Sequence, residues 1–277
     1  MFDIQATVDE ATQRALFARV RRHTGIAMAD RKWTLLHGRL RRRLQALSLS
    51  SYGEYLAVLD SSSEEVGHFI DLVTTNETSF FRTERIWDYL RNSFLPAWHA
   101  VHPGGMLQVW SAAASTGEEA YSLAMLFEEF HEMHRDFRYC ILGTDIGQRV
   151  LDAGRAGRYT GRNVDGLLKA HPAMLKKYFQ HDGEAHAVVP ALRTHVTFRA
   201  HNLYQPLVKA PPFDLVLLRN VLIYFDEPDQ EVVLENVRRT MAPDAVLLLG
   251  ESESLNRIST GFAYQQPLIY LNARTLA

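Results

Sequence analysis

The chain has 277 residues, 47% of them apolar, and a formal net charge of −2; this suffices for one large domain or for a core domain with a smaller one attached. The near-neutral charge excludes a broadly basic surface, so we expect no nucleic-acid partner. A lone Cys140 excludes an internal disulfide and a cysteine metal site, which is typical of a reducing compartment.

The start of the chain, MFDIQATVDEATQR, has neither the basic first residues nor the apolar run of a signal peptide. The longest apolar stretches, such as 245–249, are far shorter than the ~20 residues that cross a bilayer. We therefore expect a soluble cytoplasmic protein without membrane insertion.

Residues 1–75 are predicted to be helical throughout. Apolar residues recur there at helical spacing, at Leu36, Leu40, Leu44 and Leu47. A serine-rich break at 48–51 separates this helix from a second helical face, made by Tyr52, Tyr55, Leu56 and Leu59. A further helix is expected over 64–74, so the pattern predicts a small bundle with short connections.

After Pro96 the chain changes to short apolar runs rich in β-forming residues, which helical stretches separate. The runs are MLQVWSAA (106–113), RYCILGTD (138–145), HVTFRAHN (195–202), FDLVLLRN (213–220) and AVLLLGES (245–252). This alternation predicts a doubly wound, mostly parallel sheet. The last two runs, FAYQQ and PLIYLN, are predicted to pair as an antiparallel edge hairpin. The stretch 155–194 fits the pattern poorly and is predicted to be an insertion between the second and third strands.

The turn after the first strand, WSAAASTGEEA, has only small residues from Ala112 to Gly117, which lets a ligand approach the backbone closely. It is not a GxGxxG loop and has no Walker lysine, which favours a ligand without phosphate over a dinucleotide or ATP. Ser115 and Glu118 match a capping box, so Glu118 is predicted to cap the next helix. Glu119 is then left beside the crevice, available for a cationic ligand group.

Asp145 ends the second strand, where nucleotide-binding doubly wound folds place an acid that accepts hydrogen bonds from ribose hydroxyls. The alternative is a solvated acid at a strand end. An acid for ribose, small residues near an amino-acid portion and no phosphate cradle together suit S-adenosylmethionine.

Five motifs, taken together, resemble the chemotaxis-receptor methyltransferases, the CheR family. They are, in order, TTNETSFFR (74–82), VWSAAASTGEEAYSLAM (109–125), GTDIGQRVLDAGRAGRY (143–159), FDLVLLRNVLIYFD (213–226) and LLLGESESL (247–255). The stretch RKWTLLHGRLRRRLQALSLSSYGEYL (31–56) resembles the N-terminal domain of the family. The resemblance covers nearly the whole chain.

The resemblance implies an α/β fold with three parts. An all-helical N-terminal domain over 1–75 would recognise the substrate, and a linker over 76–95 would contribute to the cofactor site. A Rossmann-like class I methyltransferase domain would occupy 96–277, with a small β-subdomain inserted at about 155–200.

The resemblance also implies the ligands. The cofactor would be S-adenosyl-L-methionine and its product S-adenosyl-L-homocysteine, while the protein partner would be the cytoplasmic domain of a bacterial chemoreceptor, whose glutamates become methyl esters. The implied cofactor contacts are Asn76, Thr78, Arg82, Glu119, Asp145, Asn202, Leu203, Arg219 and Asn220. From the residues alone, Leu203 could be plain packing, and Asn76, Thr78 and Arg82 could be a helix cap with a solvated arginine.

Methyl transfer to a glutamate needs no general base, because the carboxylate is already ionised at neutral pH. We therefore expect neither a catalytic triad nor a metal site, and we interpret the scattered histidines as ordinary; these are His171, His181, His186, His195 and His201. Arg82 and Tyr224 are the candidates for steering the substrate carboxylate, through a planar two-pronged donor and a hydroxyl. Tyr224 could instead be a core aromatic on the helix after the fourth strand.

Arg39, Arg42 and Arg43 share one face of a predicted helix whose leucines face the bundle, so all three are expected to project outward. Such a face can be merely solvated. An acidic helical receptor segment is nevertheless its natural partner, and the resemblance implies a role in substrate recognition.

Two other functions stay open at this point. One is a methyltransferase acting on nucleic acid or a small molecule. The other is a methyltransferase-fold module that binds a receptor or senses the cofactor without activity.

Some family members pair a strand of the β-subdomain with a peptide at the receptor C-terminus and share a glycine-containing loop extension there. The corresponding stretch, 179–198, holds only Gly183 as glycine, and Pro190 between its two β-prone runs cannot donate a ladder hydrogen bond. We therefore expect no dependence on a receptor tail peptide.

Overall fold

The computed structural model describes residues 8–28 and 32–273. The chain divides into two compact units, one of 1–75 with 224–229 and the other of 76–223 with 230–277. The grouping of 224–229 with the first unit has no counterpart in the predicted domain boundaries. No helix in the described ranges is long and apolar enough to cross a membrane.

Helices make up the regular structure of the first unit. Within the described part of 1–75 they are α1 (Glu10–Thr24), α2 (Trp33–Ala46), α3 (Tyr52–Ser61) and α4 (Ser63–Val73). Side-chain caps fix where three of them begin, because Asp9, Ser51 and Ser62 each accept a hydrogen bond from a backbone N–H three residues later. Of the four leucines of the predicted helical face, Leu36, Leu40 and Leu44 are buried against the other helices. The fourth, Leu47, is the C-cap of α2 and is partly buried against the same cluster.

The predicted helical domain is therefore confirmed over the residues that the structure describes. The predicted helical stretches at 1–7 and 29–31 lie outside the described residues.

The second unit alternates strands and helices. It begins with α5 (Glu84–Tyr89), a π-helical turn (Leu90–Phe94) and α6 (Leu95–Val101). There follow β1 (Met106–Ala112), α7 (Glu118–Met133), β2 (Arg138–Asp145), α8 (Gln148–Ala156), β3 (Arg158–Tyr159), α9 (Arg162–Ala170), α10 (Pro172–Tyr178), β4 (Phe179–Asp182), β5 (Ala185–Val188), α11 (Pro190–Arg193) and β6 (Val196–Ala200). The last elements of the chain are β7 (Phe213–Leu218), a 3-10 turn (Leu222–Tyr224), α12 (Glu227–Arg238), β8 (Met241–Leu249), β9 (Phe262–Gln266) and β10 (Ile269–Asn272). Of these, the end of the 3-10 turn and the start of α12 belong to the first unit, which includes 224–229.

The main sheet has the strand order β6-β2-β1-β7-β8-β10-β9. The first five strands are parallel, whereas β10 pairs antiparallel with β8 and β9. The predicted mostly parallel sheet and its antiparallel edge hairpin are thus confirmed. The continuous apolar run of β7 is explained by its position inside the sheet, where four consecutive residues from Leu215 to Leu218 are completely buried.

The order of the strands places a topological switch point between β1 and β7. From β1 the chain passes outward through β2 and β6, and then returns to the other side of β1 as β7. Ala112 and Leu218, at the carboxyl ends of these two strands, lie opposite each other in the register. Ligands of open parallel sheets bind at this kind of position.

The insertion between β2 and β6 contains a second sheet of order β3-β5-β4, with antiparallel pairing. The small β-subdomain is confirmed, and it also carries α9 and α10. The run HVTF does not belong to it, because 196–200 forms β6 of the main sheet.

Candidate active site

Residues that leave the ordinary backbone regions concentrate at the switch point and in the segment 76–83. A left-handed backbone is costly for residues other than glycine and persists where the surroundings enforce it. Five of the nine such residues in the described ranges lie here: Phe81 (φ 51°), Thr83 (φ 68°), Ala113 (φ 64°), Ser115 (φ 51°) and Asn220 (φ 57°). Strained backbone of this kind is common at functional sites, so the clustering agrees with the predicted ligand position.

The small-residue turn after β1 is tightly packed. A Cβ atom on Gly117 (φ 95°) would lie 2.9 Å from Cζ of Phe198 and 3.1 Å from the hydroxyl of Tyr159. Glycine is therefore required there by both conformation and space. The backbone N–H of Ala114 donates to the carbonyl of Thr144 (2.7 Å), which joins the turn to the end of β2.

Asp145, the predicted ribose acceptor, ends β2 and is buried, with 7% of the residue exposed. Its Oδ2 accepts from the backbone N–H of Ser115 (2.9 Å) and its Oδ1 from that of Gly147 (2.9 Å). It is not the solvated acid of the alternative interpretation, because its carboxylate connects the turn after β1 with the start of α8. Its contact with ribose stays a prediction.

Glu119 and Arg219 form an ion pair at the switch point. Their Oε2 and Nη1 atoms are 2.8 Å apart, and the side chains are 12% and 3% exposed. Oε1 of Glu119 accepts from the hydroxyl of Ser111 (2.7 Å), and Nη2 of Arg219 donates to the carbonyl of Arg82 (2.7 Å). The expectation that Glu119 is left over is thus wrong, because an arginine one hundred residues away pairs with it.

Glu118 does not cap α7, which corrects the predicted capping box. The N-cap of α7 is Gly117, without a side-chain cap hydrogen bond. Glu118 is completely buried and accepts hydrogen bonds from Oγ1 of Thr116 (2.6 Å) and from the side-chain amide of Asn163 in the insertion. Burial raises the pKa of Glu118, although these hydrogen bonds oppose the shift.

The segment before α5 carries three predicted cofactor contacts, Asn76, Thr78 and Arg82, all partly exposed. They do not cap a helix, because the N-cap of α5 is Thr83 and has no side-chain cap hydrogen bond. The carbonyl of Asn76 accepts from the hydroxyl of Ser115 (2.8 Å), which brings this segment against the turn after β1. Nη1 of Arg82 donates to the carbonyl of Glu77 at 3.2 Å.

Asn202 and Leu203 follow the end of β6. Oδ1 of Asn202 accepts from the backbone N–H of Tyr204 (3.0 Å), which makes a tight side-chain turn. Leu203 is buried, and its carbonyl accepts from the side-chain amide of Asn236 (3.2 Å). The packing alternative for Leu203 therefore agrees with its burial, and the cofactor contacts of both residues stay predictions.

The turn after β7 depends on a residue that the sequence reasoning missed. Glu253 is buried and accepts hydrogen bonds from the backbone N–H groups of Asn220, Val221, Leu222 and Gly250. The motif GESES offers two acids, and nothing in the sequence distinguishes Glu253 from the exposed Glu251. The two acids differ only in the tertiary structure, where Glu253 is buried and Glu251 is exposed.

Tyr224 belongs to the first unit, in a 3-10 turn rather than on a helix. Its ring packs against the apolar cluster of that unit, and Nζ of Lys32 lies 5.3 Å from the ring centroid. Its carbonyl accepts from the backbone N–H of Ala27 (3.1 Å). The hydroxyl's role toward a substrate carboxylate stays a prediction.

The prediction that Arg39, Arg42 and Arg43 all project outward from α2 is wrong for Arg39 and Arg43. Nη1 of Arg39 donates to the carbonyls at the end of α4, and Arg43 makes an ion pair with the buried Glu65 (2.5 Å). These side chains turn toward α4 because it offers carbonyls and a carboxylate. Arg42 is exposed, as is Arg41 beside it.

The histidines show no metal-binding arrangement in the described ranges, where no three His, Cys, Asp or Glu residues could hold an ion. His181 and His186 do pair across the β4–β5 hairpin, with ring centroids 4.5 Å apart. His201 packs near Trp110, and burial lowers its pKa to about 4, with a contribution from Arg199.

Two family models match the chain. One, the CheR methyltransferase all-alpha domain, covers residues 13–74, and the other, the CheR methyltransferase SAM-binding domain, covers residues 76–267. The chain belongs to the CheR methyltransferase family. It is 34% identical to the chemotaxis protein methyltransferase of Salmonella typhimurium over 270 residues, which are 95% of this chain and 90% of that protein. The chemotaxis protein methyltransferase 2 of Pseudomonas aeruginosa is 37% identical over 244 residues, 85% of this chain and 84% of that protein.

The charged groups at the switch point fit S-adenosylmethionine, the cofactor of the CheR family. Nε of Arg219 is a buried donor without a hydrogen-bond partner among the described residues. A carboxylate such as that of the methionine portion is the kind of acceptor that this donor needs. Glu119 is the ion-pair partner of Arg219, and Asp145 lies at the carboxyl end of the neighbouring strand β2.

Proposed function

We propose that this CheR family methyltransferase forms methyl esters on glutamate side chains in the cytoplasmic domain of a bacterial chemoreceptor. The observation that carries the proposal is the 34% identity to a chemotaxis protein methyltransferase over 95% of the chain. The strand-end residues support it, because all of them fall inside the segment 76–267 that matches the SAM-binding domain. Cytoplasmic location of the chain is part of the same proposal.

The bound cofactor would supply an electrophilic methyl group on a sulfonium. A glutamate is ionised at neutral pH, so the protein has to position a carboxylate oxygen within ~3–3.5 Å of that methyl carbon rather than abstract a proton. The residues at the switch point include a neutralised pair, Glu119 with Arg219. Such a pair orients a zwitterionic methionine portion without adding net charge that would hold the substrate carboxylate too tightly.

Arg82 is our candidate for orienting the substrate carboxylate. It is partly exposed, and its carbonyl is fixed by hydrogen bonds from Nε1 of Trp87 (3.0 Å) and from Arg219. A guanidinium on a fixed backbone can present two parallel donors to a carboxylate. We propose Tyr224 as a second substrate contact and Asn76, Thr78 and Asn220 as further cofactor contacts, on the strength of the motifs that contain them. We also propose cofactor contacts for Asn202 and Leu203, which follow the end of β6 inside the segment that matches the SAM-binding domain.

The proposed partner is recognised without a receptor tail peptide. The connection between β4 and β5 is short, with only Gly183 and Glu184 between the strands. The argument from Pro190 no longer applies, because that proline begins α11 and lies on neither strand of the hairpin. The compact loop is what supports this part of the proposal.

The decisive experiment incubates the chain with methyl-labelled cofactor and either chemoreceptor-bearing membranes or nucleic acid. Mass spectrometry should find methyl esters on receptor glutamates and no label in nucleic acid. Cofactor binding without any receptor ester would instead favour the inactive sensing or receptor-binding module. Omitting the receptor tail should leave the reaction rate unchanged; lost methylation together with micromolar binding of a tail peptide would contradict tail independence.

A further inference from the structure

Glu253 is the least expected feature of the candidate site. The residue is 7% exposed, although it follows β8 in a segment whose neighbours Ser252 and Ser254 are exposed. Oε1 accepts from the backbone N–H groups of Val221 (2.8 Å) and Leu222 (2.7 Å). Oε2 accepts from those of Asn220 (2.7 Å) and Gly250 (2.8 Å). Each carboxylate oxygen thus accepts two hydrogen bonds, which uses the full acceptor capacity of the group.

Three of the four donors are consecutive residues in the turn after β7. Consecutive N–H groups converge on one anion only when the backbone curls, and Asn220 (φ 57°) supplies the left-handed conformation that this curl requires. An L-residue adopts that conformation at a cost of order 1 kcal/mol or more. The carboxylate of Glu253 compensates, because it satisfies three N–H groups that would otherwise be without partners.

A glycine at the end of β8, Gly250, leaves room for this conformation of the turn. A Cβ atom on Gly250 would lie 2.8 Å from the backbone nitrogen of Asn220, from its side-chain nitrogen and from Oε2 of Glu253. Glycine at this position therefore lets the Asn220 backbone and side chain come directly against the strand end. The glycine at position 250, the left-handed backbone of Asn220 and the hydrogen bonds to Glu253 all favour the same conformation of the turn.

We infer that Glu253 is the positioning residue for the cofactor-binding turn 219–222, acting through the backbone without touching the cofactor. The inference rests on the proposed cofactor roles of Arg219 and Asn220. The Glu253 carboxylate fixes where the Asn220 side chain and the preceding Arg219 present their donors. Loss of that anchor should change cofactor affinity, whereas a merely structural role would change only the fraction of folded protein.

The test substitutes Glu253→Gln in the full chain and measures S-adenosylhomocysteine binding by calorimetry, well below the unfolding temperature. In either orientation, the new amide NH2 faces two backbone N–H groups, so two of the four hydrogen bonds are lost. We expect Kd to rise by at least ~10-fold with binding stoichiometry still near one. Glu251→Gln, which removes an exposed charge from the same loop, is the matched control and should retain the wild-type Kd.

A second variant, Glu253→Asp, keeps the charge but shortens the side chain, and it serves if Glu253→Gln fails to fold. It should also raise Kd at unchanged stoichiometry. A wild-type Kd with reduced stoichiometry in either variant would overturn the inference, because it would show a structural role alone.

Asn220→Ala separates this inference from the proposed site. If Asn220→Ala weakens binding and the Glu253 variants do not, only the positioning role of Glu253 is wrong. If neither the Asn220 nor the Glu253 variants alter Kd, the turn does not contact the cofactor, and both the site assignment and the inference are wrong.

Discussion

Replacing Asp145 by alanine separates the cofactor contact from the structural contacts of this side chain. The carboxylate accepts hydrogen bonds from the N–H groups of Ser115 and Gly147 in the absence of any ligand. Their loss lowers the free energy of unfolding, which is measured separately from binding. The predicted ribose hydrogen bond exists only in the complex, and a bond to a charged acceptor contributes about 1.5–3 kcal/mol. Asp145→Ala should therefore raise Kd by about 10-fold to 150-fold.

Calorimetric titration with S-adenosylhomocysteine checks this range, and a parallel thermal unfolding scan reports the separate loss of stability. Asp152→Ala is the matched control, because Asp152 is an exposed acid on α8 whose side chain is 63% exposed. The control should keep the wild-type Kd. An unchanged Kd for Asp145→Ala at full stoichiometry would remove Asp145 from the cofactor site and refute the reasoning from strand ends.

Three further predictions test other parts of the molecule. Arg42→Glu reverses an exposed charge on α2 and should slow receptor methylation, most strongly at low ionic strength, with unchanged cofactor affinity; equal rates at every salt concentration would make this face merely solvated. Burial raises the pKa of Glu65, but the hydrogen bonds and charge of its partners, chiefly Arg43, bring it below the ordinary 4.5. Its stabilising contribution is thus present above about pH 4.5 and lost as the pH falls through the lowered value, a dependence that Glu65→Gln should abolish in pH-resolved unfolding. Gly117→Ala should cost about 1–3 kcal/mol in chemical denaturation, because it meets both a positive φ and a phenyl ring, whereas Gly166→Ala, with open space around it, should not.

The sequence by itself determined the helices and strands and the α/β fold class. Helical periodicity in the first 75 residues predicted a bundle, and the apolar runs predicted strands such as β7 (213–218), because both signals depend on the burial of one face or of a whole segment. The small residues from Ala112 to Gly117 and the acid at Asp145 indicated the ligand end of the sheet, since parallel strands bring their carboxyl ends to one edge.

The partners of the charged residues were decided only by the tertiary structure. Glu119 pairs with Arg219, Glu118 with Asn163, and Glu253 with a turn more than thirty residues earlier. The same holds for Arg39 and Arg43, which looked exposed by helical phase but meet groups on another helix. Burial of an apolar residue follows from local periodicity, whereas the partner of a charged group depends on which distant segment folds against it.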